Sequence, residues 1–265
     1  MSDKFQGIVE GKMDKTKIDW CDSTWNPVTG CWHGCEYCYA RGIAKRFGRN
    51  LPDLSDFASK NKGLHLLDNK IDSTPYPFGF EPTFHAYRLN EYIGKQGRNI
   101  FVCSMADLFG KWVPDRWIEE VFKACEKAPQ HNYLFLTKNP QRYEQYGVPS
   151  WQNNMWYGCT ISRKADIRNS AFLPLECKRF VSIEPLLEDI QPKDDALYNY
   201  VYWAIIGAET GRRKDKVVPK RKWIEDIVNE CRKSNVPVFM KSSLAEIWGE
   251  PLIQEFPVGL RDRLK

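Results

Sequence analysis

The stretch Thr24-Trp25-Asn26-Pro27-Val28-Thr29-Gly30-Cys31-Trp32-His33-Gly34-Cys35-Glu36-Tyr37-Cys38-Tyr39-Ala40 joins a short β-prone run to three cysteines spaced C-x3-C-x2-C in a loop that contains glycine. Three thiolates this close can wrap three corners of one iron-sulfur cube and leave the fourth iron without a protein ligand. An iron left open in this way is a Lewis acid able to accept a small chelating group. Zinc is the alternative reading. A closed tetrahedral zinc site needs a fourth ligand, for which Cys21, His33 and Cys103 are available, although the paired C-x2-C knuckles of zinc ribbons are missing. His33 itself reads as a solvated loop residue.

Outward from this loop, short apolar runs recur: residues 24 to 30, 83 to 89, 99 to 105, 132 to 138, 155 to 162, 178 to 185, 200 to 209 and 236 to 242. Their continuous apolar character suits strands buried on both faces. Amphipathic stretches separate most of them. Pro114 to Lys127 places Trp117, Ile118, Val121, Phe122 and Cys125 at helical spacing, and Pro219 to Ser234 repeats the design with Trp223, Ile224, Ile227, Val228 and Cys231. Strand and helix alternating up to eight times predicts parallel pairing with right-handed crossovers, hence an α/β fold of the (β/α) barrel type, full or partial. No repeat or long linker divides the chain, so residues 1–265 read as one domain with a flexible N-terminus over about 1–17. Residues 50–82, with Pro75, Pro77, Gly79 and Pro82, read as an irregular insertion after the first helix, with the character of a lid.

The strands end in polar residues: Ser104 to Asp107, Thr137 to Pro140, Thr160 to Ser162, Ser182 to Pro185, Gly207 to Thr210, and Lys241 to Ser243. In a parallel barrel these ends surround one mouth, so their side chains converge. Lys138, Arg142 and Lys241 are candidates there for a phosphate or carboxylate. The basic runs Arg212-Arg213-Lys214 and Lys220-Arg221-Lys222 read as solvated loops.

Composition bounds these readings. The 265 residues are 42% hydrophobic and 28% charged, enough for a large core and unlike a disordered chain. The net charge of +5 permits an anionic partner without demanding one. No apolar run approaches a membrane span of ~20 residues, and the polar first residues lack a secretory signal, so the expectation is a cytoplasmic protein with no membrane contact. In that reducing setting Cys103, Cys125, Cys159, Cys177 and Cys231, all within apolar runs, read as buried thiols, and Trp20, Trp25 and Trp32 as residues that pack and dry the cysteine site.

The cysteine loop after a first strand, with the aromatic Tyr37 before the last cysteine, resembles the signature of the radical S-adenosylmethionine superfamily. More narrowly, Asp19-Trp20, Thr24 to Cys31, Cys38-Tyr39-Ala40, Ser104 to Phe109, Leu136-Thr137-Lys138, Ser182 to Leu187 and Ile206 to Gly211 resemble a bacterial and phage family whose members are often encoded beside a three-Cys-motif partner protein. The resemblance runs from about residue 17 to about 245. It implies a 4Fe-4S cluster on Cys31, Cys35 and Cys38, and reductive cleavage of S-adenosylmethionine to a 5'-deoxyadenosyl radical that abstracts hydrogen from a substrate. It implies Tyr37 beside the adenine, with Asp107, Thr160, Ser162, Glu184 and Glu209 as further cofactor-binding candidates at the strand ends. An electron donor such as flavodoxin or ferredoxin follows from it. The basic excess and the phage-type likeness point to a nucleobase, nucleotide or nucleic acid as substrate. Arg88-Leu89-Asn90-Glu91 stands after the second candidate strand where the superfamily often has Gly-Gly-Glu for the methionine amino group. The competing class is a non-catalytic nucleic-acid- or partner-binding module with a structural metal on the same cysteines. A methyltransferase working by polar displacement lacks its Gly-rich turn after the first strand.

Overall fold

The computed structural model describes residues 16–49, 63–71, 74–191, 198, 201–211, 213–249 and 251–261. The N-terminal residues 1–15 and much of the 50–82 insertion lie outside them. Among the described residues, seven strands form one parallel sheet: β1 (Ser23–Trp25), β5 (Asn99–Val102), β6 (Asn132–Thr137), β7 (Met155–Thr160), β8 (Lys178–Ile183), β9 (Ala204–Ile206) and β10 (Val238–Met240), adjacent in that order. Three more strands, β2 (Val28–Thr29), β3 (His65–Leu67) and β4 (Thr83–His85), make a side sheet ordered β2-β4-β3.

Alternation along the strands creates two cores. One residue of each of β5 to β10 (Phe101, Leu134, Trp156, Phe180, Ile205 and Phe239) joins Trp20, Trp203 and Leu260 in an inner cluster. Their neighbours, such as Ile100, Val102, Tyr133, Phe135, Tyr157 and Val181, face outward under helices α2 (Asp115–Glu126) and α4 (Arg221–Lys233). The inner cluster shows that the sheet curls. Trp20, just before β1, lies 6.3 Å from the Phe180 ring on β8. On a flat sheet those strands, four steps apart at ~4.8 Å each, would stand ~19 Å from one another. Each large inner side chain contributes about 1.5–3 kcal/mol of burial. β1 and β10 do not pair, so the barrel is partial. Ser242 N–H donates to Asp19 Oδ2 at 2.8 Å and links the two edges at the mouth.

The eight-strand expectation needs correction at residues 83 to 89 and 24 to 30. Residues 83 to 85 form β4 of the side sheet, and the second strand of the barrel is β5. The run Thr24 to Gly30 splits because Pro27 has no N–H to continue a ladder. Instead the Pro27 carbonyl accepts from His85 N at 2.7 Å and draws the chain across to β4. The described part of the 50–82 segment is therefore partly regular: it supplies β3, which pairs parallel to β4.

The crossovers also vary. α1 (Tyr39–Phe47), α2, α3 (Gln141–Tyr146) and α4 are α-helical, while Lys164–Phe172 between β7 and β8 is a 3₁₀ run. After α5 (Ala245–Trp248), the C-terminal segment covers the free edge of β10, with Met240 N donating to Ile253 O at 2.7 Å and Glu255 N to Val238 O at 2.9 Å. α6 (Val258–Arg261) then closes the barrel floor, where Asn99 and Asn132 side chains donate to the Leu260 and Gly259 carbonyls.

Candidate active site at the barrel mouth

All seven barrel strands run the same way, so their C-terminal ends border one cavity of about 640 Å³, within the range of small-molecule sites. Cys31, Cys35 and Cys38 line it together, with Tyr37, Asp107, Thr160, Glu184, Glu209, Lys138 and Lys241. Ser162 is buried behind Tyr37, whose hydroxyl lies 3.3 Å from Ser162 Oγ, and does not border the cavity. Arg142 is turned away, tied to Asp115 and to the Gly110 and Val113 carbonyls.

Sequence places the cysteine loop through Gly30. Its φ of +83° turns the chain out of β2, and a Cβ there would lie 2.2 Å from Glu81 O, so only glycine fits. The loop then returns on itself, with Cys38 N donating to Cys35 O at 3.3 Å. Cys38 caps α1, its sulfur accepting from Arg41 N at 3.4 Å. Burial, reinforced by the charges of Asp107, Cys35 and Cys38, pushes the Cys31 thiol up to about 12 despite the His33 backbone N–H.

His33 is half-buried and paired with a carboxylate rather than free in solvent. Its Nε2 is 2.6 Å from Asp107 Oδ2, and its ring packs edge-on to Trp112 at 4.9 Å. Asp107 also accepts from Thr137 Oγ1 at 2.7 Å, Lys138 N at 2.9 Å and Phe109 N at 3.0 Å. Burial alone would raise its carboxyl, but His33, Lys138 and Thr137 outweigh that and hold it below the usual carboxylate range. Both oxygens are thus committed to clamping the cysteine loop against the ends of β5 and β6.

Glu209 is similarly engaged. Arg213 donates to its two oxygens at 2.7 and 2.8 Å and Val217 N at 3.3 Å; the Arg213 guanidinium is the largest influence holding Glu209 below the usual range. Arg213 also pairs with Glu36 of the cysteine loop at 3.5 Å, so this member of the basic run has a positioning task that composition does not reveal. Glu184 has Lys241 as its ion-pair partner. Lys138 Nζ donates to Tyr37 OH at 3.1 Å and carries no carboxylate among the described residues.

Of the residues weighed for a closed zinc site, Cys21 belongs to the inner core and Cys103 to the outer one. No group of three or more His, Cys, Asp or Glu among the described residues is gathered into a metal site. The three loop thiols all border the cavity, and an all-sulfur donor set of this kind is the one that iron-sulfur clusters take. Of the three tryptophans near the cysteine loop in sequence, Trp20 is buried and borders the cavity, Trp25 lies in the outer core and Trp32 is 45% exposed. The segment after the second barrel strand is Ser104-Met105-Ala106-Asp107, which borders the cavity, whereas Arg88 holds the Asn26 and Pro75 carbonyls near the side sheet.

The chain has a mixed α/β fold whose parallel sheet of seven strands curls into a half-barrel with a ligand-sized mouth. It is similar to spore photoproduct lyase complexed with dinucleoside spore photoproduct, with a TM-score of 0.51 and 11% identity over 91% of this chain and 78% of that one. A cysteine-to-alanine mutant of the lyase with the same dinucleoside gives 0.51 and 11% over 89% and 77%. In sequence the chain belongs to the family described as protein of unknown function DUF5131, whose model matches residues 15–253. No curated protein matches it. No helix among the described residues is long and apolar enough to cross a membrane.

Proposed function

We propose that the chain is a radical S-adenosylmethionine enzyme with a 4Fe-4S cluster on Cys31, Cys35 and Cys38. The observation that carries this reading is the placement of three thiols, and no fourth, on the wall of one cavity at the mouth of this half-barrel. When bound, the cluster supplies an electron for reductive cleavage of S-adenosylmethionine and so a carbon radical that removes hydrogen from the substrate.

The chain's own residues then divide the work. The Asp107 and His33 pair fixes the loop between its first two cysteines. Tyr37, steadied by Lys138, offers a ring to the adenine. Thr160 and Glu184 offer acceptors to ribose hydroxyls or the methionine amino group, and Trp20 keeps water from the base of the site. Glu209 acts through Arg213, holding the mouth loop rather than presenting a free carboxylate. The substrate of this reading is a nucleobase or nucleotide within nucleic acid, as supported by the basic excess and by the dinucleoside bound in the similar folds. A flavodoxin or ferredoxin serves as electron donor, and a three-Cys-motif protein as a partner to be sought by co-purification.

The test is anaerobic reconstitution. The protein should be brown, hold about four irons per chain, and release 5'-deoxyadenosine when given S-adenosylmethionine and a reductant. A colourless protein holding one zinc would overturn the reading in favour of a binding module.

A further inference from the structure

Helix α1 leaves the cavity directly from the last cysteine; its first residue is tied back to the barrel, Tyr39 OH donating to Ser104 O at 2.7 Å, and beyond it Ile43 and Phe47 are exposed. Tyr39, Ile43 and Phe47, four residues apart along one face, are 49%, 37% and 54% exposed. Tyr39 and Ile43 also border the cavity, so the stripe is continuous with it. Between Tyr37 and Arg49 the sequence has no Asp or Glu. Arg41, Lys45 and Arg46 are exposed on this helix and form no ion pair among the described residues, which concentrates three positive charges of a net +5 on nine residues. The Arg46 guanidinium lies over the Phe47 ring at 5.2 Å.

We propose that α1 is a landing strip for an unpaired stretch of nucleic acid, which delivers one base into the cavity. This deepens the nucleic-acid reading above and rests on it. The chemistry is complementary: cations for phosphates, aromatic faces and a guanidinium plane for bases. From Tyr39 to Phe47 the helix rises about 12 Å, three to four nucleotide steps at ~3.4 Å each.

The test uses the reconstituted full-length protein and a fluorescein-labelled single-stranded DNA of about twelve nucleotides, within the site sizes of such binders, followed by anisotropy at rising KCl. Wild type should bind with affinity that falls steeply with salt. Lys45→Gln with Arg46→Gln should weaken binding and flatten the slope of log K against log salt by about 1.4, at ~0.7 per phosphate. Phe47→Ala should weaken binding roughly tenfold with the slope unchanged. None of these residues borders the cavity, so iron content and nucleic-acid-independent release of 5'-deoxyadenosine should stay at wild-type level. Absence of binding by wild type, or unchanged binding by both variants, overturns the proposal. So does a double variant that binds DNA normally but is reduced more slowly by flavodoxin, which would make the face a protein dock. Failure of the radical reading is separate: wild type would then release no 5'-deoxyadenosine, whatever it binds.

Discussion

Replacing Asp107 by asparagine tests the clamp on the cysteine loop. The carboxylate is buried and takes four hydrogen bonds: His33 and Lys138 N at Oδ2, Thr137 and Phe109 N at Oδ1. An amide keeps one acceptor oxygen, so Thr137 and Phe109 can be served. Its NH2 must then stand where Oδ2 was, facing the Lys138 N–H as donor against donor. The charge that held His33 disappears as well. A hydrogen bond to a charged group is worth about 1.5–3 kcal/mol and a buried donor left without an acceptor costs about 1–3 kcal/mol, so the loss should total ~3–5 kcal/mol. For a domain of this size, at about 2–4 °C per kcal/mol, the metal-free protein should melt on the order of 10 °C lower. The pH dependence has a definite sign. The folded-state value of Asp107 is depressed, so its stabilisation is fully present above the ordinary aspartate value of about 4 and is lost as pH falls through the folded value. The gap in melting temperature between wild type and Asp107→Asn should therefore be full at pH 7 and shrink toward pH 3. A gap below about 3 °C at pH 7, near 1 kcal/mol by the same scaling, or one constant across that range, refutes the clamp.

Cys35→Ala should reduce iron after anaerobic reconstitution to background, while the metal-free protein melts within about 0.5 kcal/mol of wild type because a half-exposed loop thiol adds little to the core; full iron content would remove Cys35 from the ligand set. Glu184→Gln should leave iron unchanged and weaken S-adenosylmethionine binding, measured calorimetrically, by roughly ten- to a hundredfold, the equivalent of one charge-assisted hydrogen bond; unaltered affinity would assign Glu184 to its Lys241 pair alone. Gly158→Ala places a Cβ 2.5 Å from the Phe180 ring in the curled sheet. It should cost about 1–3 kcal/mol by overpacking, with melting recovered in part by Phe180→Leu; an unchanged melting point would mean that the strands there have room to separate.

These predictions separate what was legible in the sequence from what was not. The cysteine loop was legible because its tight spacing keeps three thiols together, and all three border one cavity; β6 was readable because Asn132 to Thr137 is almost uniformly buried. Residues 83 to 89 read as a barrel strand because a three-residue strand buried throughout has the same pattern in either sheet. What decides between the sheets is one carbonyl, that of Pro27, bonded to His85 across 58 residues of chain. His33 and Arg213 read as solvated in sequence for the same reason: their partners are acidic residues that periodicity cannot bring to them. Only the polar strand end Ser104 to Asp107 hinted at the first of these, by placing a carboxylate at the mouth.

Strand direction alone sends polar residues to the mouth, and that is as much as pattern can say. Asp107, Glu184 and Glu209 look alike at this level, each an acid just past a barrel strand. Their partners make them different. Asp107 is saturated by four donors, two of them backbone N–H groups that cannot leave. Glu209 is forked by a guanidinium, which binds both oxygens at once. Glu184 faces one flexible lysine, whose side chain can swing to another anion. A cationic ligand group entering the cavity can therefore claim Glu184 by displacing Lys241, whereas claiming Asp107 would release the cysteine loop and claiming Glu209 would release the mouth. Of the three carboxylates, Glu184 is the one whose loss should register in ligand affinity, and the other two in stability.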